Sequence, residues 1–391
     1  MREIVIAGAG TGAMSQVTPE VMDALSSADV VFADRRLLPL VPAGKRVLDI
    51  MSWKNIADEA GRVVILVSGD PGVFSLLPVI RRNFLHENIT VHPGISSLQA
   101  ICARAGETWH DAAVLSGHGR KLSPGAFLNT CERNRITVLF CDRNISPSWA
   151  CEKLADIPGS EVIIGSCLGG NDERVYMGKP QDFAGREFPG LSIILVRNNN
   201  PYTPSSFLRD KDFLREPGIV MTNEIVRSVI MSRLGLGNDS VFWDIGAGSG
   251  SISVSAGIMF PSAEIHAVDF NPVAASLTSR NAAKFHVHNI TVHNSRAIGA
   301  AGGLPLPTHV FIGGNGGEMS GLLAKISAMS QPVHVVVACV TLETLTEAYT
   351  FLRDREKFEA VQVSASSSKA LAQSLTMMKA ANPVTIFSAN V

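Results

Sequence analysis

The sequence predicts an α/β protein built on largely parallel sheets and split into more than one domain. Short apolar runs such as Ile4-Val5-Ile6-Ala7, Val63-Val64-Ile65-Leu66-Val67 and Val241-Phe242-Trp243 are continuous, as strands buried on both faces require. Glycine-rich turns and helical patterns follow them. A length of 391 residues exceeds one ordinary domain, and 46% hydrophobic against 18% charged residues suits well-buried cores, not disorder.

Taken in order, the first strand runs into Gly8-Ala9-Gly10-Thr11-Gly12. The next helix announces itself late, with Thr18 as N-cap and Pro19 in the first turn. Residues between the glycines and that helix start argue against a diphosphate cradle, although Asp34, after Val30-Val31-Phe32-Ala33, stands where a ribose acid would. A strand over Arg62–Val67 leads to Ser68-Gly69-Asp70-Pro71-Gly72-Val73-Phe74, which sets main-chain groups and a carboxylate at the carboxyl edge of a sheet. Ile89–His92 then leads to Pro93-Gly94-Ile95-Ser96-Ser97, with hydroxyls at a helix start. A second subdomain is expected from about residue 111, with strands at 136–141, 161–165 and 191–196, a short helix over Ser148–Leu154 and a polar loop over Gly169–Gly178. Asn198–Ser206 reads as a linker and Arg209–Asp212 as a solvated face. The expected division is therefore 1–198 (subdomains about 1–110 and 111–198), a linker over 199–216, and 217–391.

The most informative stretch is Val241-Phe242-Trp243-Asp244-Ile245-Gly246-Ala247-Gly248-Ser249-Gly250-Ser251. It reads as a buried strand, a turn with three alternate glycines, and a helix over Ile252–Phe260. A second strand, Glu264–Val268, ends in Asp269, about 20 positions beyond the glycines, where an acid would hold a ribose diol. Dinucleotide folds space their glycines GxGxxG, whereas this turn reads GxGxG with Asp244 just before it. A carboxylate there repels a diphosphate but accepts hydrogen bonds from an ammonium, as the amino-acid end of S-adenosylmethionine (SAM) carries. A nucleotide site and a purely structural glycine turn are the alternatives.

Composition narrows the classes. A net charge of −1 without a basic stripe gives no nucleic-acid signature. Apolar runs are shorter than a membrane span, and the amino-terminal residues lead straight into a strand, so no leader or anchor is expected. Six cysteines without a CxxC pair read as reduced, mostly buried thiols of a cytoplasmic protein, and no metal site is expected.

The order GAGTG, TPE, SGDPGVF, HPGISSLQA and SGHGR (Ser116–Arg120) resembles the tetrapyrrole (corrin/porphyrin) methyltransferase family over about residues 1–198. That resemblance implies two α/β subdomains with SAM in the cleft between them. It implies that Gly69, Asp70, Val73, Ser96 and Ser97 line the SAM site, joined by Thr11, Asp142 and Gly169. It also makes His118 and Arg120 candidates for binding the carboxylates of a tetrapyrrole, which arginine takes bidentately. Thr11 stands where relatives commonly have proline.

From residue 217, the set Met221-Thr222-Asn223-Glu224, WDIGAGSGS, VDFNP, FIGGNGG (Phe311–Gly317), VTLETL and NPV resembles the decarboxylating precorrin methyltransferase family. This implies a Rossmann-like SAM-dependent fold, unrelated to the first, in which Thr222, Asp244, Gly246, Gly248, Gly250 and Asp269 bind SAM. Three positions depart from relatives: Asn223 replaces a basic residue, Phe270 a charged one, and Asn294-Ser295-Arg296-Ala297 replaces Gly-Asp-Ala-Pro, leaving Ser295 for the adenine side. Glycines in Gly313–Gly317 would let a flat macrocycle approach the backbone, so Gly314 and Asn315 are candidates for the reacting face; Glu343 is a candidate for substrate positioning or simply a helix-start acid. The two resemblances together imply two SAM sites and methylation of precorrin-6Y, or its cobalt form, at C5 and C15, with loss of the ring-C acetate carboxyl in corrin biosynthesis. A homo-oligomer acting on a tetrapyrrole, without nucleic acid or membrane, is the expected partner pattern. A methyltransferase of another small molecule and a non-catalytic tetrapyrrole-binding protein are the competing readings.

Overall fold

In the computed structural model, residues 2–119, 122–314, 316–372 and 375–391 are described. They form two compact units, Met1–Leu122 with Cys131–Pro201, and Ser123–Thr130 with Tyr202–Val391.

The first unit holds two sheets. β1 (Glu3–Gly8), β2 (Val30–Ala33), β3 (Arg46–Asp49), β4 (Arg62–Val67) and β5 (Asn88–His92) form an all-parallel sheet in the order β3-β2-β4-β1-β5. Alternate residues of its central strands serve two cores: Val5, Ala7, Val31, Val64 and Leu66 on one face, Ile4, Ile6, Phe32, Val63 and Ile65 on the other. That two-sided burial explains why the strands are uninterrupted apolar runs. Each Val, Leu, Ile or Phe among them contributes roughly 1.5–3 kcal/mol when taken from water. As the late helix signal implied, Thr18 caps a helix over Pro19–Ser27 by accepting the Val21 N–H at 3.4 Å.

β6 (Ala113–Ser116), β7 (Ile136–Phe140), β8 (Ser160–Ser166), β9 (Arg174–Gly178) and β10 (Ser192–Asn198) make a mixed sheet ordered β6-β7-β10-β8-β9. β9 occupies part of the expected polar loop. It is an edge strand paired only to β8, and its partly exposed residues lack an apolar run to betray it.

In the second unit, β11 (Val241–Ile245), β12 (Glu264–Asp269), β13 (Ile290–Asn294), β14 (His309–Ile312) and β15 (His334–Cys339) are parallel. β16 (Glu356–Val363) and β19 (Val384–Asn390) complete a seven-stranded sheet ordered β13-β12-β11-β14-β15-β19-β16. Trp243, Ile245, Val310 and Ile312 enter one core, Phe242, Phe311 and Val336 the other. Between β16 and β19, β17 (Ser366–Ala372) pairs with β18 (Leu375–Ala380) as a separate hairpin. A serine run has no hydrophobic alternation, so that strand was invisible to pattern reading.

Among the described residues no helix is long and apolar enough to cross a membrane, and no His, Cys, Asp and Glu group could hold a metal ion. All six cysteines are free thiols and five are buried. Burial pushes the Cys102 thiol up to about 11 and those of Cys151 and Cys339 up to about 12.

Candidate functional site

Strand order in the seven-stranded sheet reverses between β11 and β14, and at such a switch point the carboxyl ends of the strands open a crevice. A cavity of about 350 Å³ lies there. Its floor is the turn after β11. Gly246, Gly248 and Gly250 have φ of 75°, 58° and 74°, a region L side chains rarely adopt. Space demands glycine as well: a Cβ on Gly246 would lie 2.6 Å from Gly314 N and 2.7 Å from Gly314 Cα, and one on Gly248 would lie 2.6 Å from Val220 O. Gly250 does not face the cavity; it lets the turn close on Thr278, whose Cγ2 would be 2.7 Å from an added Cβ.

Asp269, at the end of β12, lines the cavity and braces the turn. Its Oδ2 accepts the Gly248 N–H at 2.9 Å, and its Oδ1 accepts the Asn271 N–H at 2.9 Å. Each oxygen keeps acceptor capacity for a ligand diol. Thr222, Ser295 and Gly314 also line the cavity, as do Gly218 and Val220. Asn223 gains a local role, since its Oδ1 caps the helix Glu224–Leu234 by accepting the Ile225 N–H at 3.0 Å.

Two expectations change here. Asp244 does not line the cavity. It is 1% exposed, and its Oδ2 accepts the Ser253 N–H at 3.0 Å and the Ser253 hydroxyl at 2.5 Å, so it secures the helix behind the turn instead of meeting an ammonium. Its place in β11 aims the side chain under the helix Ser251–Met259, while the backbone turns toward the cavity only from Ile245 onward. Glu343 is not brought to Gly314 either: it sits in the first turn of the helix Leu342–Leu352, in a separate open depression with Ser320 and Glu347. Asn315 lies outside the described residues.

Burial raises the Asp244 carboxyl to about 6, against the two Ser253 hydrogen bonds that favour its ionised form; the Asp269 charge adds to the rise. An acid whose pKa is raised on folding binds a proton the unfolded chain has released. Its stabilising contribution is therefore complete below the ordinary value of 3.8 and is lost as pH climbs through about 6. Asp244→Asn should accordingly raise the melting temperature of the ligand-free protein by several degrees at pH 8, with the gain fading toward pH 4. Differential scanning calorimetry across that range checks this; a gain that grows on acidification contradicts it.

Sequence reasoning missed the rim. Phe270 and Arg296 both line the cavity, with the guanidinium 5.8 Å from the ring centroid, and Arg296 pairs with Glu318 at 3.3 Å. The Arg296 replacement was visible as a departure from relatives, but its partners were not.

A second cavity, of about 650 Å³, lies within the first unit between its two sheets. Gly69, Asp70, Val73, Ser96, Ser97, Gly169, Thr11 and His118 all line it. Here three backbones cross: a Cβ on Gly94 would lie 2.7 Å from both C and O of Gly8, and one on Gly8 would lie 2.7 Å from Gly69 O. Asp70 fastens this crossing, its Oδ1 accepting the Gly72 N–H at 2.7 Å and its Oδ2 the Gly94 N–H at 3.1 Å. Ser96 is buried and forms a capping box with Gln99, which fixes the helix Ser97–Ala105 at the cavity edge. Thr11 donates to Gln16 Oε1 at 2.7 Å beside Gly169, where no Cβ would fit.

Asp142 is corrected: it does not line this cavity. Its Oδ1 accepts the N–H groups of Asn144 and Ile145 at 2.8 and 2.7 Å, so its carboxylate shapes the turn after β7. Arg120 lies outside the described residues. Phe74, Arg36 and Cys167, which the sequence did not single out, join the lining. Phe74 and Cys167 have φ of 46° and 50°, a strained backbone for bulky side chains and one found preferentially at functional sites.

A glycine turn at the switch point, with an acid at the end of the next strand, is the arrangement by which an open α/β sheet binds a nucleoside-bearing ligand. Residues 214–391 match the family described as the precorrin methyltransferase domain, and residues 3–184 match the tetrapyrrole (corrin/porphyrin) methylases. A probable cobalt-precorrin-6B C(15)-methyltransferase (decarboxylating) of Pyrobaculum aerophilum is 34% identical over 194 residues, 48% of this chain and 97% of its own. A precorrin-6Y C(5,15)-methyltransferase [decarboxylating] of a Sinorhizobium species is 27% identical over 366 residues, 87% of this chain and 85% of its own. A crystal structure of the precorrin-6Y C5,15-methyltransferase of Geobacter metallireducens is 32% identical, covering 48% of this chain and 98% of that one, with a TM-score of 0.44. The chain belongs to the precorrin methyltransferase family.

Proposed function

We propose that this chain methylates precorrin-6Y, or its cobalt form, at C5 and C15 and removes the ring-C acetate carboxyl, using one SAM site in each unit. The observation that carries this reading is the presence of two separate cavities, each at the carboxyl edge of a parallel sheet and each built from a glycine crossing braced by an aspartate. Relatives named for both reactions align with the chain, one along most of its length.

In the second unit, Gly246 and Gly248 offer close backbone approach, Asp269 the ribose acceptor, Ser295 the base-side hydroxyl and Thr222 part of the wall. The two glycine crossings let neighbouring backbone segments close together at the cavities, since a Cβ at Gly246, Gly248, Gly8 or Gly94 would meet backbone atoms of the facing segment. In the first unit, Gly69, Asp70, Val73, Ser96, Ser97 and Gly169 take the corresponding part. Bound SAM supplies an electrophilic methyl group on a sulfonium. The protein's own task is to align and to exclude water, and no side-chain nucleophile is needed. Arg36 and His118 at the first cavity present groups that can pair with the macrocycle's carboxylates, with Arg120 a further candidate. At the second, the exposed Phe270 on the cavity lining gives an apolar surface for a flat ring. Gly314 is the proposed floor under the reacting face, with Asn315, next in sequence, a further candidate. The conjugated macrocycle is itself the electron sink for decarboxylation.

A cytoplasmic homo-oligomer is part of this reading. Free thiols suit that compartment, and Leu375, Met377 and Met378 on β18 leave apolar surface exposed on the hairpin. Incubating the protein with SAM and precorrin-6Y, or with the cobalt form, and weighing the product tests the central statement. Two added methyl groups and one lost carbon dioxide are expected. A single methyl addition without carbon dioxide loss contradicts it.

A further inference from the structure

The segment from Leu208 to Thr222 ends as one wall of the second unit's cavity: Gly218, Ile219, Val220 and Thr222 all line it, and Val220 O closes on Gly248. It has no regular secondary structure apart from one short turn over Asp210–Asp212, so its position depends on side chains that reach it. Two buried polar residues do so. Arg227, 3% exposed on the helix Glu224–Leu234, donates from Nη1 to Asp210 Oδ1 at 3.1 Å and to Thr222 O at 2.9 Å, and from Nη2 to Leu208 O at 2.6 Å. Its guanidinium also lies 4.9 Å from the Phe213 ring centroid. Asp210 was expected on a solvated face; its carboxylate instead answers this buried cation.

Asn281, fully buried on the helix Pro272–Lys284, reaches the middle of the same segment. Its Oδ1 accepts the Leu214 N–H at 2.8 Å, and its Nδ2 donates to Leu214 O at 3.2 Å and to Ser249 O, inside the glycine turn, at 2.8 Å. One side chain thus ties the segment to the floor of the cavity, and the other ties both its ends to the helix beside it. The guanidinium fork satisfies three oxygens at once, which an ammonium cannot do in the same plane.

We propose that Arg227 and Asn281 are positioning residues for the donor site: they hold the Leu208–Thr222 segment as a fixed wall of the cavity, and donor affinity in the second unit depends on them although neither lines the cavity. This rests on the reading that the cavity binds SAM. Desolvation of Arg227, which lowers its pKa despite the Asp210 charge, means that losing a partner leaves a costly buried group, so the clamp is held or released as a whole.

The test uses the full chain, with Arg227→Lys and Asn281→Leu as variants. Two-site calorimetric titration with SAM reads both sites, and the first unit serves as internal control. Hydrogen exchange of residues 208–222 reads the segment itself. Each variant is expected to weaken SAM binding in the second unit about tenfold or more, the scale of leaving buried hydrogen-bonding groups without their partner. Binding in the first unit should be unchanged, and exchange of the segment should rise and then fall again when SAM saturates the site. C15 methylation should show a raised KM for SAM with kcat within about threefold. Unchanged affinity with unchanged exchange overturns the proposal, as does a lowered melting temperature with affinity and exchange untouched, which marks a purely structural role. If the unaltered chain binds no SAM in its second unit, the functional reading fails instead.

Discussion

Gly246→Ala is expected to abolish SAM binding and C15 chemistry in the second unit while leaving the first unit's methylation intact. Two costs combine at this position. A backbone at φ 75° is unfavourable for alanine by about 1–2 kcal/mol. The added methyl would also press on Gly314, with its N and Cα only 2.6 and 2.7 Å away, so the turn and the Gly313–Gly317 loop cannot both keep their places. Neighbouring atoms here are backbone, which yields only by moving β11 or β14. A loss of at least 100-fold in affinity corresponds to about 2.7 kcal/mol and is the minimum expected. Product masses should show one methyl group added, and retained C5 methylation guards against reading global unfolding as a site effect. C15 methylation within tenfold of normal would contradict the cradle.

Gly94→Ala is the matching experiment in the first unit. Gly94 stands where β5 gives way to the turn before Ser96, and an added methyl would meet Gly8 C and O at 2.7 Å and also the carbonyl of Gly69. Relief requires β5 to part from β1, which breaks the Gly94 N–H bond to Asp70 and displaces the Ser96 cap. A fall of about 100-fold or more in C5 methylation is expected. The product should carry one methyl group and lack one carboxyl, since the second unit still works. Normal double methylation would show that the crossing tolerates an extra atom and is not the core of a donor site.

How far the sequence reached can be judged from individual residues. That Gly246 and Gly248 turn the chain beside Asp269 was legible because backbone conformation and strand-end position are local properties. Gly69, Asp70, Ser96 and Ser97 were legible for the same reason, through turns and caps encoded within a few residues. Asp244 was misjudged because the face on which a strand residue emerges is set by pairing register and the helix packed above it. Asp142 was misjudged because an aspartate that braces a turn and one that meets a ligand carry the same local signature. Glu343 needed the distance between two loops, which no single segment encodes. Arg227 and Asn281 carry no local signature; only tertiary structure shows that both are buried and that both reach one segment.

Two donor sites on one chain are the center of this account, and equilibrium dialysis with labelled SAM tests them most directly. The unaltered chain should retain two equivalents per chain, Gly246→Ala one and Gly94→Ala one. A single equivalent for the unaltered chain, or two retained by either variant, would contradict it.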